Sequence, residues 1–266
     1  MRILVTGAAG NVASMTLPAL EERYDLRLTD RCYPMRRTRA PFHLADVTDR
    51  ATMARLMTNI DTVIHLAVAG YRAQWASIWP SNIVGLHNVL LAASTAGCRR
   101  VLFISSIQVV DGYPPGMTVP TTAPPRPINP YGISKVIGET MAHHFALQGA
   151  MSVFSVRIGT VLPRHSPKLH RGARGLERVI TTDDLTHLLI AMIEASSALH
   201  YGLFHGLSAN RHRRLDLTDT LQLLDYIPRD DAFALVEHNR NSIIHQARSR
   251  VRHNLKRLRS QLTDDD

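Results

Sequence analysis

A doubly wound parallel sheet of the Rossmann-like α/β class is the fold this chain predicts. Short apolar, β-branched runs alternate along it with amphipathic stretches of roughly 10–18 residues, as expected of strands buried on both faces and joined by crossover helices. The first run, Arg2-Ile3-Leu4-Val5-Thr6, ends in Gly7-Ala8-Ala9-Gly10, a tight turn leading into a helix. At 266 residues, with 45% hydrophobic and 20% charged side chains, the chain can bury one core plus a small appendage and lies outside the disordered range.

Taken in order, Val12, Met15, Leu17, Ala19 and Leu20 mark a helix after the glycine turn, and a second strand spans Asp25–Asp30. A basic loop, Arg31–Pro41, precedes a short strand at Phe42–Leu44. There follow a helix at 49–58, a strand at Thr62–Ala67, a helix at Ser81–Ala96 and a strand at Val101–Ser105. Seven prolines between Val110 and Pro130 forbid a helix there and make a long loop beside the core, the usual place for a functional border. A helix at Tyr131–Gln148 and a strand at Ser152–Ile158 close the regular part. Residues 1–160 thus read as a dinucleotide-binding core. Beyond it come a basic loop at Arg164–Arg178, a helix near Thr182–Ala195, a strand at Gly202–Gly206 and a helix near Leu217–Leu224. Residues 161–236 are read as a small substrate lobe over the strand ends. In residues 237–266, Ile244, Ala247, Val251, Leu255, Leu258 and Leu262 form an apolar stripe on a basic helical tail. Docking on its own or a neighbouring subunit is the favoured use of this tail, with nucleic acid or an acidic membrane surface as alternatives.

Several residues carry chemistry. Gly7 and Gly10, with Asn11 and Val12 opening the helix, form a turn whose backbone can approach a pyrophosphate and whose free N–H groups can bind it. Asp30, about 20 residues on, can accept hydrogen bonds from an adenosine ribose and repel a 2′-phosphate, which favours NAD; Arg31, Arg36 and Arg37 pull the other way. Asp46 can reach the adenine or simply cap a turn. In Tyr131-Gly132-Ile133-Ser134-Lys135, the first and last residues share a helix face, so an ammonium near the phenol would favour phenolate and create a base. Lys135 is one of only three lysines in the chain, with Lys168 and Lys256. Ser105 and Ser106 end the preceding strand, where a hydroxyl can meet a substrate oxygen.

Together with Val47, Leu66 and Ala67, Asn82 with Gly85 and Asn88, and Arg157-Ile158-Gly159, these motifs resemble the extended short-chain dehydrogenases and reductases, the NAD-dependent epimerase/dehydratase family, from Met1 to about Asp231. The resemblance implies NAD as cofactor, held by Gly7, Gly10, Asn11, Val12, Asp30, Asp46, Val47, Leu66, Ala67, Asn82, Ser105, Tyr131, Lys135 and Ile158. It also implies a Ser106–Tyr131–Lys135 catalytic centre that passes hydride between substrate carbon and nicotinamide, and a homo-oligomer formed through helices 81–96 and 131–148. Within the family the chain is most similar to uronate dehydrogenases, which oxidise a free hexuronate to a lactone. That places Gly70, Ser106, Gln108 and Thr160 near the substrate, and Arg171 or Arg174 as a carboxylate clamp or else a solvated basic surface. Ile107-Gln108 stands where those enzymes have Asn-His, Gly70 where they have serine, and Ala13 where the fingerprint has its third glycine, so the substrate stays open.

The expected function is therefore an NAD-dependent oxidoreductase acting on a sugar or sugar acid, a hexuronate among them. A nucleotide-sugar epimerase or dehydratase, or a non-catalytic dinucleotide sensor, is the alternative. No metal site is expected, since the 14 histidines lack ligand spacing and His65 sits in an apolar strand. Two cysteines, Cys32 and Cys98, and the lack of a leader pattern point to the cytoplasm.

Overall fold

The computed structural model describes residues 1–149, 151–169 and 175–238. Its centre is a seven-stranded sheet in the order β3-β2-β1-β4-β5-β6-β9, with every neighbouring pair parallel. The strands are β1 (Arg2–Thr6), β2 (Asp25–Asp30), β3 (Phe42–Leu44), β4 (Thr62–His65), β5 (Arg100–Ser106), β6 (Ser152–Ile158) and β9 (Tyr201–Gly206). The order reverses between β1 and β4, and at such a switch point the loops above the strands part to leave a crevice.

Period-two alternation feeds two cores. On one face Ile3, Val5, Leu102, Ile104, Phe154 and Val156 pack against α1 (Asn11–Glu21) and α6 (Thr182–Glu194). On the other, Leu4, Val63, Val101, Phe103 and Val153 meet α2 (Arg50–Leu56), α4 (Gly85–Thr95) and α5 (Pro130–Leu147). β1, β5 and β6 are buried along nearly their whole length, which is why they read as continuous apolar runs.

The structure redraws three expected boundaries. Strand β4 stops at His65, and Leu66 and Ala67 continue as loop. The helix expected from Ser81 starts earlier, as the short α3 (Trp75–Ile78), and runs through a π-helical stretch at Trp79–Val84 before α4. Pro80 lacks the donor that regular winding needs, and this widened turn sits beside the crevice, where such insertions concentrate. Finally, α6 and β9, assigned above to the C-terminal lobe, belong to the main fold: β9 pairs along β6, and Leu185, Leu188, Leu189 and Met192 fill the first core. What remains of the lobe is a two-stranded parallel pair, β7 (Thr160–Leu162) with β8 (Val179–Thr181), the loops around it, and α7 (Thr218–Leu223). Residues 239–266, which hold the apolar stripe of the basic tail, lie outside the described residues, as do Arg171 and Arg174.

A buried arginine joins the far end of the sheet to α6. Arg100 Nη1 donates to the carbonyls of Met192, Ile193 and Ala195, each at 2.9 Å, and Nη2 donates to Ser196 at 3.0 Å. Its guanidinium stacks 4.5 Å from the Phe154 ring centre. The last carbonyls of a helix have no partner within it, and this side chain supplies one.

Candidate active site

The crevice at the switch point is a cavity of about 510 Å³ at the C-terminal ends of the strands. Gly7, Gly10, Asn11, Val12, Asp30, Asp46, Val47, Leu66, Ala67, Ser105, Ser106, Tyr131, Lys135 and Ile158 all line it. Residues from six strand ends thus meet in one space although they are spread over more than half of the chain.

One end is built from backbone. Gly7 has φ of +74°, and a Cβ there would sit 2.4 Å from the Ala67 nitrogen, so only glycine allows the turn to pass under the β4 loop. Gly10 precedes α1 in an extended conformation with no side-chain cap, which leaves the first N–H groups of the helix facing the cavity. At the tip of β2, Asp30 Oδ2 accepts the Ala9 N–H at 2.9 Å, tying the turn to the neighbouring strand; Arg31 lines the same region. The loop carrying Asp46 and Val47 is pinned from α4, where Asn88 Nδ2 donates to the carbonyls of Val47 and Thr48 at 3.1 and 3.0 Å.

The other end is built by α5 on β5. Asn129 caps the helix by accepting the Gly132 N–H at 2.8 Å. A Cβ on Gly132 would meet the Gln108 carbonyl at 2.6 Å, so glycine after Tyr131 lets the helix start against the turn that follows Ser106. Lys135 is buried, and its Nζ donates to the Ile104 carbonyl at 2.6 Å and lies 5.6 Å from the Tyr131 ring centre. Burial drags the Lys135 ammonium down to about 7, opposed by the Glu139 carboxylate. Burial also pushes the Tyr131 phenol up to about 12, opposed by a hydrogen bond with the Ser106 side chain. Burial thus acts on the phenol in the opposite sense to the influence expected of Lys135.

Other expected contacts are placed differently. Asn82 does not line the cavity: its amide accepts the Ala69 N–H at 2.7 Å and donates to Ser134 Oγ at 2.9 Å, anchoring the π-helical stretch to α5. Gln108, Gly70 and Thr160 also lie off its walls. Gln108 Oε1 accepts from Asn129 Nδ2 at 2.6 Å, and Gly70 is exposed. His65 is buried and shares a 2.8 Å hydrogen bond with Thr6 Oγ1.

The sequence reading missed Tyr71, Ser81 and Val161 on the cavity wall. It also missed a buried ion pair, Glu139 with Arg157, although Glu139 stands four residues after Lys135 on the same helix face and that spacing was visible.

Known proteins extend these observations. A family model described as NAD dependent epimerase/dehydratase matches residues 3–189. An NAD-dependent glucose-6-phosphate dehydrogenase of Haloferax volcanii is 32% identical over 86% of this chain and 94% of its own length. An L-arabinose 1-dehydrogenase (NAD(P)(+)) of the same organism is 32% identical over 89% of this chain and 99% of its own. The crystal structure of uronate dehydrogenase from Agrobacterium tumefaciens superposes with a TM-score of 0.81 at 29% identity, covering 89% of this chain and 87% of that one. The cavity fits NAD on its own geometry: a glycine cradle that a Cβ would block, a helix N-terminus for the pyrophosphate, and a carboxylate at the tip of β2. By its kinship the chain is an NAD-dependent oxidoreductase, and it belongs to the NAD dependent epimerase/dehydratase family.

Proposed function

We propose that the protein oxidises the anomeric hydroxyl of a free sugar or sugar acid, a hexuronate among the candidates, with Tyr131 as the proton-transferring group. The observation that carries this reading is the convergence of Tyr131, Lys135 and Ser106 on the cavity that also holds the Gly7–Gly10 turn. NAD, when bound, supplies the hydride acceptor. As phenolate, Tyr131 takes the proton from the sugar hydroxyl, and as phenol it returns that proton in the reverse direction. Ser106 orients the reacting oxygen from the end of β5. Lys135, fixed on the Ile104 carbonyl, provides positive charge next to the phenol and the ribose side of the cavity.

The relatives support a monosaccharide scale of substrate, since those described above are named for glucose 6-phosphate, arabinose and uronate. For a uronate, Arg171 or Arg174 would meet the carboxylate, and Gln108 would serve only after leaving Asn129. We further assign a homo-oligomer joined through helices 81–96 and 131–148, where Val84 of the π-helical stretch and Ile133 of α5 are exposed, and a cytoplasmic setting suited to two free thiols. Among the described residues no helix is long and apolar enough to cross a membrane.

The test is NADH formation from NAD with free uronic acids, neutral aldoses, sugar phosphates and nucleotide sugars. Production from a free sugar or sugar acid supports the proposal. Silence with every free sugar while NAD still binds would overturn it in favour of an epimerase or a sensor. Sedimentation as a monomer at micromolar concentration would refute the oligomer.

A further inference from the structure

Beneath the cavity floor lies a charged layer that the chemistry above does not use. Glu139, on α5, and Arg157, on β6, form a fully buried two-point pair: Nε to Oε1 at 2.9 Å and Nη2 to Oε2 at 2.7 Å. The same Oε1 accepts the Ser105 hydroxyl at 2.6 Å. One helical turn earlier, Lys135 Nζ donates to the carbonyl of Ile104, the residue before Ser105. Helix α5 therefore grips two consecutive residues at the end of β5, once through an ammonium and once through a carboxylate, and the next residue is Ser106.

Removing a cation from water is unfavourable unless a counter-charge lies near it. The groups around Lys135 can be enumerated by element. Its own helix presents the Tyr131 phenol and Glu139; β4 presents His65, which burial keeps neutral by pulling it down to about 3; β5 presents the Phe103 ring, 4.7 Å from Nζ, and the Ile104 carbonyl. β6 presents Arg157, in register with His205 on β9, and Tyr201 feels the Glu139 charge from β9 as well. Among these described groups Glu139 is the single anion. Its four-residue spacing puts it on the same helix face as Lys135, whose charged form it favours.

We propose that Glu139, braced by Arg157, is a positioning residue that keeps Lys135 in its ammonium form and fixes Ser105 and Ser106 against α5. The bracing follows from fork geometry: a bidentate arginine holds the carboxylate in one rotamer, so its remaining acceptor direction is directed at Ser105. The inference rests on reading Lys135 as the partner of Tyr131, but its test needs no substrate, so a silent turnover assay would leave it standing.

The test is a pH titration of lysine side-chain NMR signals in protein carrying 13C,15N-lysine. With only three lysines in the chain, Lys135 is assignable by the loss of one signal in Lys135→Met. Wild type, Glu139→Gln and Glu139→Gln/Arg157→Met are compared, each checked for folding by circular dichroism. The midpoint for Lys135 is expected to fall by about one pH unit or more in Glu139→Gln, which removes its anion and leaves the buried Arg157 charge uncompensated. It is expected to recover part of the way in the double variant, which removes the second cation. A merely structural role would change stability without that ordering. An unchanged or raised midpoint in Glu139→Gln overturns the proposal, as does a double variant lower than the single one. Should Glu139→Gln fail to fold, the double variant decides alone: a midpoint below wild type supports the proposal, and one equal to it refutes it.

Discussion

His65 makes the stability of this fold depend on pH in a way that can be calculated. It ends β4 beneath the cavity, its exposure is 2%, and burial, aided by the Lys135 charge, lowers it from 6.5 to about 3. The unfolded chain therefore takes up a proton near the ordinary histidine value while the folded chain does not. Because the folded value is depressed, the contribution is fully present above about pH 6.5 and is lost as pH falls toward about 3. Between about pH 7 and pH 5 the loss works out at about 2 kcal/mol, and between about pH 7 and pH 6 at about 0.7 kcal/mol. The perturbation is His65→Gln, which keeps an amide within reach of Thr6 Oγ1 and removes the titration. Urea unfolding of both proteins at about pH 7, 6 and 5 gives the difference in stability at each value, and acid losses common to both cancel. Wild type should lose its advantage over His65→Gln by those amounts. A difference that stays constant across the range would show that His65 binds a proton without unfolding, and the argument from burial would fail.

Three further outcomes follow from the site and the frame. Gly7→Ala places a Cβ 2.4 Å from the Ala67 nitrogen at a left-handed backbone position, so it should cost about 1–3 kcal/mol in urea unfolding and weaken NAD binding at least about tenfold by calorimetry. Arg100→Met leaves the carbonyls at the end of α6 without their donor and should destabilise by about 3 kcal/mol or more, read from the urea midpoint. Tyr131→Phe should lower kcat by about 10²–10⁴ while leaving NAD affinity nearly unchanged, since it deletes only the proton-transfer group; retained turnover would require another base.

Much of the fold was legible because burial on both faces imprints itself on composition. β1, β2 and β6 begin and end at the expected residues. The Gly7–Gly10 turn and the Tyr131–Lys135 spacing were legible because each is a local geometric demand, met within a few residues. What could not be read depends on partners distant in sequence. Arg100 finds its acceptors more than ninety residues away, and the apolar strand around it offers no hint of them. Periodicity identified β9 as a strand, but not that it would extend the main sheet beside β6 instead of building a separate lobe. Asn82 carries the residue type of a cofactor ligand, yet the π-helical turn directs its amide to Ala69 and Ser134. The displacement of the Tyr131 phenol upward depends on solvent exclusion, which spacing on a helix does not encode.

That last point bears on how the site can work. Burial acts on phenol and ammonium in opposite senses, pushing one up to about 12 and the other down to about 7, because in both cases it disfavours the charged form. Burial therefore works against a charged pair at both residues, and Glu139 is the group that opposes it at Lys135. On the proposed chemistry the phenol must give up its own proton before its oxygen can accept one from a sugar hydroxyl, and a charged Lys135 beside it is the group that would stabilise the phenolate so formed. The buried layer beneath the cavity fits that requirement. With Glu139 one turn away, Lys135 can stay charged where an unaccompanied lysine would not, and with Arg157 holding the carboxylate in place, Ser105 and Ser106 remain aligned at the end of β5. The specificity of the Tyr-Gly-x-Ser-Lys motif follows from the same contacts. Each of its recognisable positions is used, as phenol, as close approach to the Gln108 carbonyl, as anchor for Asn82 and as ammonium.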